Sequence, residues 1–385
     1  MAATSPTNTY QAIVVGVGGV GSAALFHLAR RGARVLGLDR FQPPHGRGSS
    51  HGETRIIRLA YFEHPDYVPL LRRAYELWRA LAQDSGKELY RQTGLLQAGP
   101  ADGHILPAVL DCALRHDLQV EPLSAAETRR RYPQFGMPES MSAVYEESAG
   151  SLAVEDCVLA HLRAAATAGA ELRTDEQVLG WSVVDGLVEV RTAGHTYRAE
   201  RLVIAAGAWT PRLLDSIGVP VAVRRKSLFW FPAGHDARYA ATDGCPAFLF
   251  ETPYGIFYGL PDLGGGQVKV AEHSGGLTVR DPLTVDRDVD PRDVTQIERF
   301  LAAHLPALAP PHTQHAVCLY TMTADEHFVV DTHPHHPEVV FAAGLSGHGF
   351  KFTCVLGEAL AQLSLDGSTP LPIEFLSHTR FHSAS

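Results

Sequence analysis

What the chain lacks narrows it first. Its five cysteines are an odd number and include no C-x-x-C pair, so neither a disulfide framework nor a zinc site is expected, and a reducing compartment fits. An excess of positive charge is missing too. The formal net charge is −9, which argues against a nucleic-acid surface, because phosphate binding depends on clustered Lys and Arg. Met1 to Asn8 has no basic n-region, and the apolar stretch after it is broken by glycines, so neither a signal peptide nor a membrane span is expected. The chain closes on His382-Ser-Ala-Ser385 rather than a Ser-Lys-Leu address, which leaves the cytoplasm as the residual expectation. No internal repeat or low-complexity linker interrupts it. At 385 residues, with 45% hydrophobic and 19% charged residues, it is an ordinary globular chain long enough for two domains.

What is present begins with Ile13-Val-Val-Gly-Val-Gly-Gly-Val-Gly-Ser-Ala-Ala24, a β-branched run entering a Gly-x-Gly-x-x-Gly turn and then a helical repeat through Leu25, Leu28 and Ala29. Gly16 permits the turn, Gly18 lets the backbone approach a pyrophosphate, and Gly21 lets helix and strand pack closely. A second strand, Arg34 to Leu38, ends in Asp39, placed to accept hydrogen bonds from an adenosine ribose. Strand, glycines, helix, strand and acid in register point to a bound dinucleotide.

Further along, Phe41 to Arg58 is a Pro/Gly/Ser-rich loop carrying three arginines and two histidines, and Tyr67 to Ala82 has helical spacing. Helices are also expected over Asp102–His116, Ser124–Arg131, Glu155–Ala168 and Asp290–His304. A meander from Val178 to Tyr197 runs into Arg201–Trp209, a buried strand with small residues at its end. From Val219 the texture becomes antiparallel: Val221–Phe231, Ala247–Glu251, Ile256–Leu260 and Gln267–His273, with Pro253-Tyr-Gly255 as a turn. Val339–Ala343 is a last buried strand, and Gly344-Leu-Ser-Gly-His-Gly-Phe-Lys351 opens a terminal helix. The expectation is an α/β (α+β) chain in which 1–90, 150–220 and 320–385 build the nucleotide unit. An antiparallel substrate unit, 91–149 and 221–319, is inserted, and a small ligand lies between them.

Four constellations bear on chemistry. Lys351 near a helix start is electrostatically misplaced unless an anion is nearby, and Gly344, Gly347 and Gly349 would let one approach; the alternative is a solvated lysine. Strand alternation puts Lys269, Ala271 and His273 on one face, which either lines the cleft or faces solvent, and Tyr258 belongs to the neighbouring strand. Arg55 and Arg58, if helical, share a face. The planar fork of Arg58 suits a carboxylate, and Arg55 could pair with Glu53 or Glu63. Cys318, beside Tyr320 at a strand end, is a nucleophile only as thiolate and otherwise a small core residue.

Together the Gly16 fingerprint, Pro43–Arg58, Cys318–Phe328 and Gly344–Lys351 resemble the monomeric sarcosine oxidase branch of the D-amino-acid-oxidase-like flavoproteins, with N-methyltryptophan and pipecolate oxidases, over essentially the whole chain. The resemblance implies a Rossmann-like FAD-binding domain with an inserted antiparallel-sheet substrate domain. It also implies FAD joined through its 8α-methyl group to Cys318. Gly16, Gly18, Gly21, Asp39, Arg40, Ser49, Thr54, Val178, Ala206, Gly207, Trp209, Gly344, His348, Gly349 and Lys351 would contact the cofactor. Lys269 would favour electron transfer to oxygen, with His51 and Arg55 close to the ring. Arg58 and Lys351 would hold the substrate carboxylate, in a pocket shaped by Tyr258, His273, Tyr320 and the Gly347 carbonyl. Ser50-His51 stands where many sarcosine and N-methyltryptophan oxidases have His-His, which looks more like the pipecolate oxidases. The implied activity is oxidation of a secondary amino acid, N-methyl or cyclic, to an imine with O2 reduced to H2O2, by a monomer with no metal. Alternatives are a biosynthetic cyclic imino-acid oxidase, a flavin dehydrogenase with another acceptor, an NAD-dependent dehydrogenase and a non-catalytic flavoprotein.

Overall fold

A computed structural model describes residues 9–214, 217–234, 236–308 and 311–381. Met1–Asn8 and His382–Ser385, on which the expectations about a leader and an address rest, lie outside the described residues.

The apolar run ending at Val15 becomes the strand Thr9–Val15, the centre of an eight-stranded sheet. It pairs in parallel with Val35–Leu38 on one side and Thr196–Ile204 on the other, and His336–Ala343 continues the parallel set beyond Thr196–Ile204. Strands buried on both faces explain why these segments read as unbroken apolar runs. Their carboxyl ends lie at one edge, and the chain after Val15, Leu38, Ile204 and Ala343 opens a cleft there. Behind that edge the helix Gly19–Arg30 packs on Val154–Thr167 and Thr353–Asp366.

The second sheet has nine strands, and Ala222–Pro232 pairs antiparallel with Gln267–Glu272, Gln314–Met322 and Leu277–Val279. One face is sealed by the helix Pro291–His304, whose Phe300 stacks on Phe257 at 4.6 Å between ring centroids. The other face carries Leu249, Tyr258, Ala271, Cys318 and Tyr320 and turns toward the cleft. A small third sheet joins Thr54–Ile57, Gly150–Ala153 and Tyr90–Gln92 between them.

The helices expected from spacing are present to within a few residues, including a capping box in which Ser124 and Glu127 exchange hydrogen bonds. Three local expectations are corrected. Arg55 lies in the strand Thr54–Ile57, not on a helix, because that segment finds ladder partners in Gly150–Ala153. Lys351 sits in a 3₁₀ turn, Phe350–Phe352, ahead of the terminal helix, since the glycine-rich stretch before it winds as a loop. The strand leading to Trp209 ends at Ile204, and Gly207–Trp209 is a turn. Positions 90/91 and 319/320, where the sequence suggested domain boundaries, fall inside the strands Tyr90–Gln92 and Gln314–Met322. Among the described residues no helix is long and apolar enough to cross a membrane.

The glycine fingerprint can be tested position by position. A Cβ at Gly21 would stand 1.8 Å from the Gly16 carbonyl oxygen, whereas one at Gly18 would meet only Ser50 Oγ, at 3.5 Å. Gly21→Ala should therefore cost about 1–3 kcal/mol in denaturant unfolding. Gly18→Ala should leave stability within about 0.5 kcal/mol and weaken dinucleotide binding instead.

Candidate active site

The cleft has three functional stretches. At the first, Asp39 already accepts backbone hydrogen bonds from Val17 N–H at 2.7 Å and Phe41 N–H at 2.9 Å, and its remaining lone pairs face the cleft beside His45, whose Nε2 is 3.6 Å away. Gly16, Gly18, Arg40, Val178, Ala206, Gly207, Trp209, Gly344, His348 and Gly349 line the same cavity. Trp209 Nε1 and Thr353 Oγ1 are buried in its wall without a hydrogen-bond partner. Buried polar groups of this kind are ordinarily satisfied, so their orphaned state, with the open space at Gly18 and the helix N-terminus, fits a dinucleotide such as FAD. Gly21 lies behind the wall, where it packs on Gly16.

The second stretch surrounds Cys318. Cys318 is the one cysteine of the five that lines the cleft. Its sulfur is 3.3 Å from Arg55 Nη2, the electropositive neighbour that thiol chemistry requires. Arg55 also donates to the carbonyls of Thr54 at 2.8 Å and Ser49 at 3.0 Å, and the Ser49 hydroxyl bonds the Leu319 carbonyl. Burial opposes the charge on Arg55, but Cys318, Tyr258, Tyr320 and Glu155 outweigh it and raise its pKa.

Lys269, Thr54 and His51 stand one layer back, outside the lining. The Lys269 ammonium donates to the Gly52 and Thr54 carbonyls at 2.6 and 2.8 Å. Burial, then Arg55, pushes its pKa well down. His51, 3.1 Å from the Gly48 carbonyl, is held at about 3 by burial and by Arg55, Arg287 and Lys269, and is neutral.

The third stretch collects two cations around one carboxylate. Arg58 reaches both oxygens of Glu63 at 2.7 Å and donates to the Ala60 carbonyl at 3.1 Å, with Tyr61 and Phe62 against its guanidinium. Burial would raise Glu63, yet Arg58, His348 and Lys351 hold it at about 2. Lys351 donates to the His348 carbonyl at 2.7 Å and lies 3.4 Å from the Tyr61 hydroxyl. Burial and Arg58 push it down to about 7. His348 Nε2 donates to the Glu326 carbonyl, so Nδ1 accepts from Tyr61. Arg58 and Lys351 are buried and the Glu63 side chain is 10% exposed, so two basic groups flank one carboxylate at the cleft wall and can accept a second.

Tyr258, His273 and Tyr320 close this end, with His273 neutral at about 3 through burial, and its ring centroid 5.7 Å from that of Tyr320. Gly347 has φ +80°, and a Cβ there would stand 2.3 Å from the Tyr320 ring. The face shared by Lys269 and His273 thus turns toward the site and not to solvent. Of the two partners open to Arg55 on sequence, Glu63 pairs with Arg58 and Glu53 accepts from Trp230 Nε1. Sequence reasoning passed over Tyr61 and over Lys226, whose buried ammonium bonds the Ser274 carbonyl and lies 5.5 Å from the Tyr320 ring centroid. One signal was available: the chain has lysine only at 87, 226, 269 and 351, and the last three are buried.

Residues 11–363 match the DAO family, described as FAD dependent oxidoreductase. The chain is 42% identical over 380 residues to a monomeric sarcosine oxidase of Streptomyces avermitilis, covering 98% of this chain and 99% of the relative. It is 37% identical over 376 residues to an N-methyl-L-tryptophan oxidase of Yersinia pestis, covering 97% and 99%. Among solved structures, NikD, an unusual amino acid oxidase essential for nikkomycin biosynthesis, superposes with a TM-score of 0.85 at 26% identity, covering 96% of this chain and 98% of that one.

Lys351 sets a pH dependence for this pocket. Only its ammonium form attracts an anion, and a bound carboxylate raises its pKa. Acetate should therefore bind tightest below pH 7, lose up to about tenfold in affinity per unit as the pH rises through 7, and take up a proton on binding near pH 8. Titrations followed calorimetrically in buffers of different ionisation heat check both.

Proposed function

The chain belongs to the DAO family of FAD dependent oxidoreductases, and from that membership we propose that it is an oxidase of secondary amino acids, N-methyl or cyclic. The observation that carries this is the buried pocket of two cations and one anion at Arg58, Lys351 and Glu63, which suits an amino-acid carboxylate. Arg58 and Lys351 hold that carboxylate, so that the amine-bearing carbon is directed toward the ring end; orientation of this kind supplies much of an enzyme's rate. Glu63 gives up part of the Arg58 fork as the substrate enters. Tyr258, His273, Tyr320 and the Gly347 carbonyl shape the space around the amine, with neutral His273 unable to repel it.

FAD, when bound, supplies the two-electron acceptor that takes the hydride equivalent and passes it to oxygen. Gly16, Gly18 and Asp39 hold its dinucleotide portion, and Cys318 anchors its ring end covalently. Lys269, held on the Gly52 and Thr54 carbonyls, presents positive charge where oxygen is reduced; negative charge forming beside it counteracts the burial that depresses its pKa. The imine product hydrolyses in water. A monomer working in the cytoplasm completes this reading.

Purified protein should release peroxide with at least one of sarcosine, N-methyl-L-tryptophan, L-pipecolate and L-proline, and none with D-alanine. Yellow protein that is silent across that panel overturns the substrate assignment. Acid precipitation should leave flavin on the parent and release it from Cys318→Ser. Lys269→Met should slow reoxidation by oxygen about a hundredfold or more while substrate still reduces the enzyme.

A further inference from the structure

Two buried or half-buried carboxylates outside the chemistry share one pattern. The short strand Thr54–Ile57 carries Arg55, with Arg58 next after it, and a glutamate takes two consecutive backbone amides on each side. Before the strand, Glu155 accepts from Gly52 N–H at 2.7 Å and Glu53 N–H at 3.0 Å. After it, Glu146 accepts from Leu59 N–H at 2.7 Å and Ala60 N–H at 2.9 Å, and from the Ser148 hydroxyl. Each glutamate grips a residue whose carbonyl holds a site cation: Gly52 for Lys269, Ala60 for Arg58.

The first grip is under strain that something must hold. Gly52 and Glu53 have φ of +86° and +67°, and a non-glycine residue persists in that region only where its surroundings enforce it. The Glu53 carbonyl accepts from Val154 N–H at 2.8 Å, and its carboxylate accepts from Trp230 Nε1 at 2.8 Å.

We propose that Glu155 and Glu146 are positioning residues with separate duties. Glu155 sets Lys269 and Arg55 at the ring end through Gly52 and Glu53. Glu146 sets Arg58 at the carboxylate end through Leu59 and Ala60. The assignment rests on the roles given to those cations under the proposed function, but the placement of the amides can be read without them. The glutamates come from different elements, Glu155 from the first turn of Val154–Thr167 and Glu146 from the end of Met141–Glu146, so each grip can loosen alone.

The test uses the holoenzyme with Glu155→Gln and Glu146→Gln, which keep shape and one acceptor oxygen. Three quantities are read: amide hydrogen exchange over 52–60, the affinity for acetate, and the rate at which dithionite-reduced enzyme is reoxidised by oxygen. Glu155→Gln should speed exchange at 52–53 alone and slow reoxidation roughly tenfold, with acetate affinity within about twofold of the parent. Glu146→Gln should speed exchange at 59–60 alone and weaken acetate roughly tenfold, with reoxidation unchanged. If either variant is not obtained folded, the corresponding Asp variant, charged but short by one methylene, is read the same way. Exchange that rises over the whole segment, or variants that impair both functions equally or neither, overturns the proposal. Selective exchange and selective acetate loss, in an enzyme that turns over none of the amino acids offered, would uphold it while removing the substrate assignment.

Discussion

Ammonium and guanidinium groups taken out of water cost several kcal/mol each unless protein dipoles or counter-charges replace the lost hydration. This chain accepts that cost repeatedly. Lys226, Lys269, Lys351, Arg58 and Arg225 are all buried, and the three lysines have their pKa values pushed down by it. Counter-charge is supplied sparingly. Arg58 has Glu63 and Arg225 has Asp293, while Lys269 and Lys351 take backbone carbonyls at hydrogen-bond distance. Arg58 and Lys351, which line the cleft, thus stand beside a single carboxylate, Glu63.

Backbone carbonyls serve as ligands only if the backbone cannot drift. The segment between Gly52 and Ala60 is therefore tied down beyond its four-residue ladder: its carbonyls face cations, its amides face Glu155 and Glu146, and Gly52 and Glu53 hold left-handed conformations. At the opposite end of the cleft the same economy appears in another form. Gly21 brings the helix against Gly16, so the parallel strand and helix N-terminus meet where a dinucleotide's phosphates would lie. The two sheets supply rigidity for both ends, the eight-stranded one through the termini of its parallel strands and the nine-stranded one, antiparallel but for the pairing of Ala247–Thr252 with Leu95–Pro100, through a face bearing Tyr258, Cys318 and Tyr320.

Several features were legible because their causes are local. The fingerprint Gly16–Gly21 and Asp39 identifies its fold by spacing alone, and two-residue alternation placed Lys269 and His273 on one face. Helical spacing misled at Arg55 and Arg58: a four-residue segment takes its conformation from the ladder offered to it, here Gly150–Ala153, more than from its own sequence. Both arginines still reach the cleft, because Arg58 lies past the end of the strand and is no longer bound by its alternation.

The sequence by itself determined the nucleotide fold and the largely antiparallel strands after Val219, since these follow from periodicities within a few residues. Tertiary structure alone decided how the charges are paired. Glu63 belongs to Arg58, Glu146 and Glu155 belong to backbone amides 86 to 103 residues away, and Lys226 is buried behind Tyr320. Such pairings are set by desolvation and by distances across sheets. A carboxylate is drawn to whichever donors burial leaves unsatisfied, and those are known only when the chain has closed around them.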